Sequence, residues 1–242
     1  MKIEVITSFN ERYYNGIGKE CVSTWLKYWP NELTLTVYIE EFSLPDQARI
    51  KQIPFSQLGK NHTDFQNDQK YKSRVKIFAK KAYSIIHAFI HSDADRILWL
   101  DADVLTTKPI PLEFIKQLSP SDSLLTYMRV WHNLKKDDIN SPIVPSAESG
   151  VFAVNTRHDS FRQFADRYEE YYNKRLDKNL RRFYDGEVLG AVAKEFQENN
   201  KIIDLCAEFK KPYRTPIGHT ILGPYLHHYK AKAAKSEYFI ED

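Results

Sequence analysis

The sequence predicts an α/β fold with a mostly parallel central sheet flanked by helices. Strand-like and helix-like segments alternate through the first half of the chain, the pattern of parallel strands joined by helical crossovers. Residues 96–100 are uniformly apolar after Arg96 and read as a buried strand. The helix expected over 74–90 puts Val75, Phe78, Ala82, Ile85, Ile86 and Phe89 on one stripe, spaced to lie against a sheet.

The elements follow in order. Residues 2–8 alternate and are rich in β-formers, giving the first strand; 11–28 read as a helix stopped by Pro30, and 33–39 as the second strand. The stretch 43–70 reads as polar and irregular, broken by Pro45, Pro54 and Gly59. After the helix, Ser92 to Asp95 turn the chain into the strand at 96–100. Pro109 and Pro111 mark a loop before a short helix near 112–117, and 123–127 read as a strand. Residues 130–148 are expected to form a long functional loop, and 150–154 a strand. Helices over 158–172 and 185–197 and a short strand at 201–205 follow, then an aromatic-, His- and Lys-rich tail at 210–242. No repeat or linker interrupts the 242 residues, so one domain is expected, with the tail closing the active site.

Composition sets bounds on function. With 42% hydrophobic and 28% charged residues the chain should be globular rather than disordered. A net charge of +3 does not demand nucleic acid, although basic residues cluster at 70–81 and 174–182. Such runs are ordinarily solvated helix faces, with a polyanionic partner as the alternative. Two cysteines, Cys21 and Cys206, make neither a disulfide framework nor a metal spacing, which suits a reducing cytoplasm. The first residues read as a strand and not as a signal peptide, and no stretch approaches the roughly 18 apolar residues of a membrane span. The expected location is the cytoplasm, with peripheral contact at the inner membrane face left open.

The most informative segment closes the strand at 96–100. It runs directly into Asp101-Ala102-Asp103. Charges are costly to bury, so such a strand end calls for compensation, and a divalent cation is the natural compensator. In an extended turn residues i and i+2 point the same way, so both carboxylates can face one metal at the carboxyl end of the strand, where open α/β sheets place ligands. The competing reading is a pair of turn aspartates capping the next segment.

Together with the turn before it, the segment from Asp93 to Leu105 resembles the Asp-x-Asp region of GT-A fold glycosyltransferases. Three more stretches are similar to that family: Glu148-Ser149-Gly150-Val151-Phe152 through Asn155, Tyr184-Asp185-Gly186-Glu187-Val188-Leu189, and His227-His228-Tyr229-Lys230. The glycogenin-like group is the nearest, loosely. The resemblance implies a single Rossmann-like GT-A domain that uses a nucleotide-diphosphate sugar as donor, with Mn²⁺ or Mg²⁺ as cofactor, and transfers the sugar to a glycan or glycolipid hydroxyl. It implies that Asp103 binds metal directly and that Asp101 is shared between metal and ribose. His228, or its neighbour His227, would be the third ligand, and Lys230 or Lys232 would meet phosphate. Surface histidines are the alternative for the last pair.

In the resembled fold, Thr7 and Phe9 at the end of the first strand would hold the base, and Arg74 and Lys76 would lie near the donor. Ordinary turn residues and a solvated helix face are the competing readings. Glu148, Asp185 and Glu187 are the acids available on the acceptor side, where an inverting enzyme needs a general base. Asp185 and Glu187 also sit where a helix dipole favours acids. Ser149 and Gly150 would let the sugar approach the backbone. Two rivals are weighed: a related enzyme glycosylating modified DNA bases, and a phosphatase of the haloacid dehalogenase type. The second wants Thr or Val two residues after the second Asp, where this chain has Leu105, and it wants the motif near the start of the chain.

Overall fold

The structure is a computed structural model, and it describes residues 1–130, 146–176, 178, 180–209 and 215–229. Nine strands are described: β1 (Ile3–Asn10), β2 (Thr34–Glu40), β3 (Ile50–Pro54), β4 (Arg96–Leu100), β5 (Val104–Thr106), β6 (Leu125–Val130), β7 (Ser146–Asn155), β8 (Ile202–Asp204) and β9 (Leu226–His228). Seven form one sheet in the order β3-β2-β1-β4-β7-β6-β8. Only β7 runs against its neighbours, so the sheet is mostly parallel, as expected.

From β1 the chain winds outward to β2 and β3, then returns to place β4 on the other side of β1. That reversal makes a crevice at the carboxyl ends of β1 and β4, the place where such sheets hold ligands. Helices cover both faces: α1 (Glu11–Tyr13), α2 (Lys19–Tyr28), α3 (Gly59–Asn67), α4 (Ser73–His91), α5 (Leu112–Leu118), α6 (Phe161–Asn173) and α7 (Asp185–Phe196). The alternation of β4 divides the core. Ile97 and Trp99 join the apolar cluster under α4, α6 and α7, while Leu98 and Leu100 join the one under α2 and α5.

Several expectations need correction. The stretch 43–70 is not irregular: it holds β3, a 3₁₀ turn at Phe55–Leu58 and α3. Among the described residues β3 is an edge strand paired only with β2, and its Pro54 falls at the last position, where no ladder bond is lost. The helix expected over 11–28 is broken by a π-helical turn at Tyr14–Gly18, where Gly16 and Gly18 weaken the α conformation. β6 runs to Val130 and β7 starts at Ser146, so both ends of the expected 130–148 loop are strand; residues 131–145 lie outside the described residues. Of the tail, 215–229 are described and include β9, while Lys230 and Lys232 lie outside. Among the described residues no helix is long and apolar enough to cross a membrane.

One buried group gives the fold a pH dependence. His62 on α3 sits between the rings of Phe55 and Tyr83, at 5.8 and 5.5 Å between centroids, and its Nε2 has no hydrogen-bond partner among the described residues. Burial, helped by Lys80, pushes its pKa down to about 4 against an ordinary 6.5. The unfolded chain therefore binds this proton first. The contribution to stability is complete above about 6.5 and is lost as pH falls toward 4. Thermal melts between pH 7.5 and 4.5 should show a shallower acid decline for His62→Phe than for the parent chain. Equal slopes would remove His62 from the acid sensitivity.

Candidate metal centre

The site is assembled at the carboxyl end of β4. The backbone N–H of Asp101 donates to the Gly150 carbonyl on β7 at 2.8 Å, and Val104 N–H donates to the Asp101 carbonyl at 3.0 Å. This tight turn leads into β5, which the sequence did not announce. β5 pairs antiparallel with β9, in a register that sets Val104 opposite His228 and Leu105 opposite His227. Alternation along β9 then separates the two histidines. His228 is buried, while His227 is exposed and packs its ring on Tyr229 at 4.4 Å.

Asp101, Asp103 and His228 thereby bring one ligand atom each within 4.8 Å of one another. His228 Nε2 lies 3.1 Å from Asp103 Oδ1. The set of two carboxylates and one imidazole suits Mn²⁺ or Mg²⁺, and donor atoms within 4.8 Å of one another can meet on an ion bonded at roughly 2.0–2.6 Å. The residues present therefore fit a divalent cation.

A residue the sequence reading passed over holds the other side. Lys81 on α4 is buried and reaches three oxygens with Nζ: Asp101 Oδ1 at 2.6 Å, the Ser149 carbonyl at 2.7 Å and Asp185 Oδ2 at 2.8 Å. Burial opposes its charge, but Asp101 and Asp185 outweigh that and hold the ammonium protonated well above its ordinary pKa. Asp101 Oδ1 also accepts from Trp99 Nε1 at 2.7 Å. Burial and the neighbouring Asp103 and Asp185 raise the Asp101 pKa against the opposing pull of Lys81. One ammonium does not balance this group of acids, which is the electrostatic case for a cation. A signal for Lys81 was present: it lies three residues after Phe78 and four before Ile85, on the apolar stripe of the helix.

Tyr13 was also missed. The Asn10 side chain caps α1 by accepting from Tyr13 N–H at 2.7 Å. The Tyr13 phenol bonds Asp103, and burial together with the two aspartates raises its pKa far above the ordinary value. No pattern in the sequence announces this contact between distant segments.

Asp185 opens α7, accepts from Ser149 Oγ at 2.5 Å and, although burial acts against it, has its pKa lowered by Lys81. Glu187 faces away from the cluster: it accepts from Arg181 Nη2 at 2.8 Å and from Arg182 N–H at 3.0 Å, fastening the loop before α7. Glu148 lies beside His228, with Oε1 3.7 Å from Nδ1. Gly150 sits against both, since a Cβ there would meet Glu148 Oε1 and His228 Cε1 at 3.0 Å each. Thr7 is fully buried and its hydroxyl has no partner among the described residues, and Phe9 is buried, stacked on Tyr14 at 5.3 Å. Neither offers an open face to a base. Arg74 is exposed and lies 5.2 Å over the Tyr184 ring; Lys76 is half-buried one helical turn before Lys80.

Much of the basic charge at 70–81 and 174–182 is spent within the fold. Lys80 pairs with Glu40, Lys174 with Glu170, Arg175 with Asp68 and Arg181 with Glu187. A cavity of about 450 Å³ opens between α2 and the β2–β3 connection, lined by Val22, Leu26, Leu44 and Ile50 among others, and none of the acid cluster lines it.

Gly186 fixes how closely α7 approaches β7. A Cβ there would lie 2.5 Å from the backbone oxygen of Ala147, which cannot swing aside. Gly186→Ala should cost about 1–3 kcal/mol in urea unfolding and displace Asp185. Gly16→Ala, whose Cβ would meet nothing within 4 Å among the described residues, should be neutral or slightly stabilising. Equal effects at the two sites would refute the close approach.

No family model and no curated protein matches the chain. Solved structures do. Mouse xyloside xylosyltransferase 1 in its apo form superposes with a TM-score of 0.58 at 14% identity, covering 85% of this chain and 86% of that one. The apo form of the glycosyltransferase GlyE from Streptococcus pneumoniae superposes with a TM-score of 0.50 at 11% identity. It covers 84% of this chain but 45% of GlyE, so the chain spans under half of that protein. The likeness establishes the fold: α/β of the GT-A glycosyltransferase type, with a seven-stranded, mostly parallel sheet flanked by helices.

Proposed function

We propose that this chain is a metal-dependent glycosyltransferase, moving a sugar from a nucleoside-diphosphate sugar to a hydroxyl of a glycan or glycolipid. The observation that carries the reading is the convergence of Asp101, Asp103 and His228 at the crevice of a fold found in glycosyltransferases. In this reading Asp103 and His228 hold Mn²⁺ or Mg²⁺, and Asp101 supports it while facing the donor ribose. The bound cation would neutralise the charge gathering on the diphosphate as the sugar leaves.

The chain's own residues do the rest. Lys81 fixes Asp101 in place through its ammonium contact. It also holds Asp185 ionised beside Ser149, with its pKa below the ordinary value, which makes Asp185 a weak base. Asp185 is therefore read as orienting the transferred sugar rather than deprotonating the acceptor. With Asp185 a weak base and no stronger one identified beside it among the described residues, transfer with retention of configuration is the expectation, in keeping with the loose likeness to the glycogenin-like group. The chain is taken as one domain acting in the cytoplasm.

A thermal-shift panel of nucleoside diphosphates and nucleotide sugars tests the reading. A matching nucleotide should raise the melting temperature with Mn²⁺ and lose that effect in EDTA. A panel in which no nucleotide shifts the melt under either condition would sink the proposal. NMR of the product's anomeric proton decides between retention and inversion.

A further inference from the structure

We infer that Glu148 is a positioning residue for the metal ligand His228: its carboxylate holds the imidazole in the tautomer that carries its proton on Nδ1 and leaves Nε2 bare for the cation. The inference rests on the metal reading above and assigns Glu148 a part other than that of an acceptor-side base.

The geometry is that of a buried relay. Glu148 on β7 is 4% exposed and His228 on β9 is 8% exposed. The two ring nitrogens face opposite acids: Nε2 is 3.1 Å from Asp103 Oδ1, and Nδ1 is 3.7 Å from Glu148 Oε1. Nδ1 has no hydrogen-bond partner among the described residues. A neutral imidazole has one proton for two nitrogens, so the group facing each nitrogen decides which one can bind metal. A proton on Nε2 would be donated to Asp103 and would block the cation. A proton on Nδ1 faces a carboxylate, and a closure of about 0.5 Å brings it to hydrogen-bond length.

Two backbone features hold the carboxylate in this role. Gly150 N–H donates to Glu148 Oε1 at 3.2 Å, aiming that oxygen toward the ring. The missing side chain at 150 leaves the space in which acid and imidazole meet, since a Cβ would come within 3.0 Å of Glu148 Oε1 and 3.3 Å of His228 Nδ1. Glu148 and Gly150 lie two apart on one strand and so face the same side of the sheet as this ring. A carboxylate behind a metal-bound histidine both orients the ring and makes its free nitrogen a stronger donor to the metal.

The test is Mn²⁺ binding by calorimetry on the whole chain, without donor or acceptor. Glu148→Gln should weaken Mn²⁺ by about 10- to 100-fold while circular dichroism stays that of the parent. Glu148→Asp, which shortens the reach but keeps the charge, should also weaken it and guards against a folding defect in the first variant. In a His228→Ala background Glu148→Gln should change Mn²⁺ affinity no further. Unchanged affinity in Glu148→Gln would overturn the inference. So would an equal loss in both backgrounds, which would make Glu148 a plain negative charge near the ion. A parent chain that binds no Mn²⁺ would overturn the metal reading itself, and is told apart from the other outcomes by the parent measurement alone.

Discussion

Asp103→Ala should reduce sugar transfer by about 1,000-fold or more and abolish Mn²⁺ binding, while the chain still folds. Asp103 lies between two groups that the fold delivers separately, the Tyr13 phenol from α1 and His228 Nε2 from β9. Removing it deletes one member of the candidate metal triad. Stability should respond far less. Tyr13 and His228 each lose a partner, at about 1–3 kcal/mol for a buried polar group. Against that, the cluster loses a carboxylate that burdens Asp101. The two effects oppose each other, so the metal-free melting temperature should move by less than about 5 °C. Transfer assays, calorimetry with Mn²⁺ and a melt in EDTA measure the three quantities. Parent-level turnover in the variant would remove Asp103 from the chemistry, and a collapsed melt would make it a structural residue.

Lys81→Met should produce the largest loss of stability, about 3–5 kcal/mol in urea unfolding at pH 7 without divalent cation. Methionine preserves the bulk of the side chain on the apolar stripe but removes the positive charge from among Asp101, Asp185 and the Ser149 carbonyl. The half-buried Asp101 and the buried Asp185 then lack their shared partner, and the cost of their desolvation is no longer offset. Adding Asp185→Asn should recover part of the loss, because one of the stranded charges goes with it. Lys81→Met within 1 kcal/mol of the parent would mean that solvent, not Lys81, neutralises these acids. The same variant should disturb transfer, since Lys81 ties Asp101, just after β4, to Asp185 on α7.

Other features of the site divide in the same way between local and distant causes. Asn155, quoted in the sequence as the end of a family-like strand, serves packing: its Oδ1 accepts from the buried Arg96 at 2.5 Å and its Nδ2 donates to the Ser121 carbonyl at 3.0 Å. Glu187 looked equivalent to Asp185 from its place in the first turn of the helix. Two residues further on, its direction differs by about 200°, so Glu187 reaches Arg181 while Asp185 reaches Lys81.

What the sequence determined by itself is what short-range pattern determines. The apolar run of β4, the stripe of α4 and the alternation of segments specify buried strands, crossover helices and therefore a mostly parallel sheet. The Asp-x-Asp pair at the end of a buried strand carries its own electrostatic argument, because carboxylates at such a position demand compensation. Residues whose role depends on pairing between distant segments were beyond its reach. β3 is an edge strand that owes its conformation to β2, and β5 exists because β9 lies beside it. Only that pairing, with its two-residue alternation, separates His228 from His227. Only the packing of α4 and α7 onto β4 and β7 sets Lys81 among the acids. The tertiary structure decided these points because each is a contact between groups far apart in the chain, and its energy depends on burial and distance that no local pattern encodes.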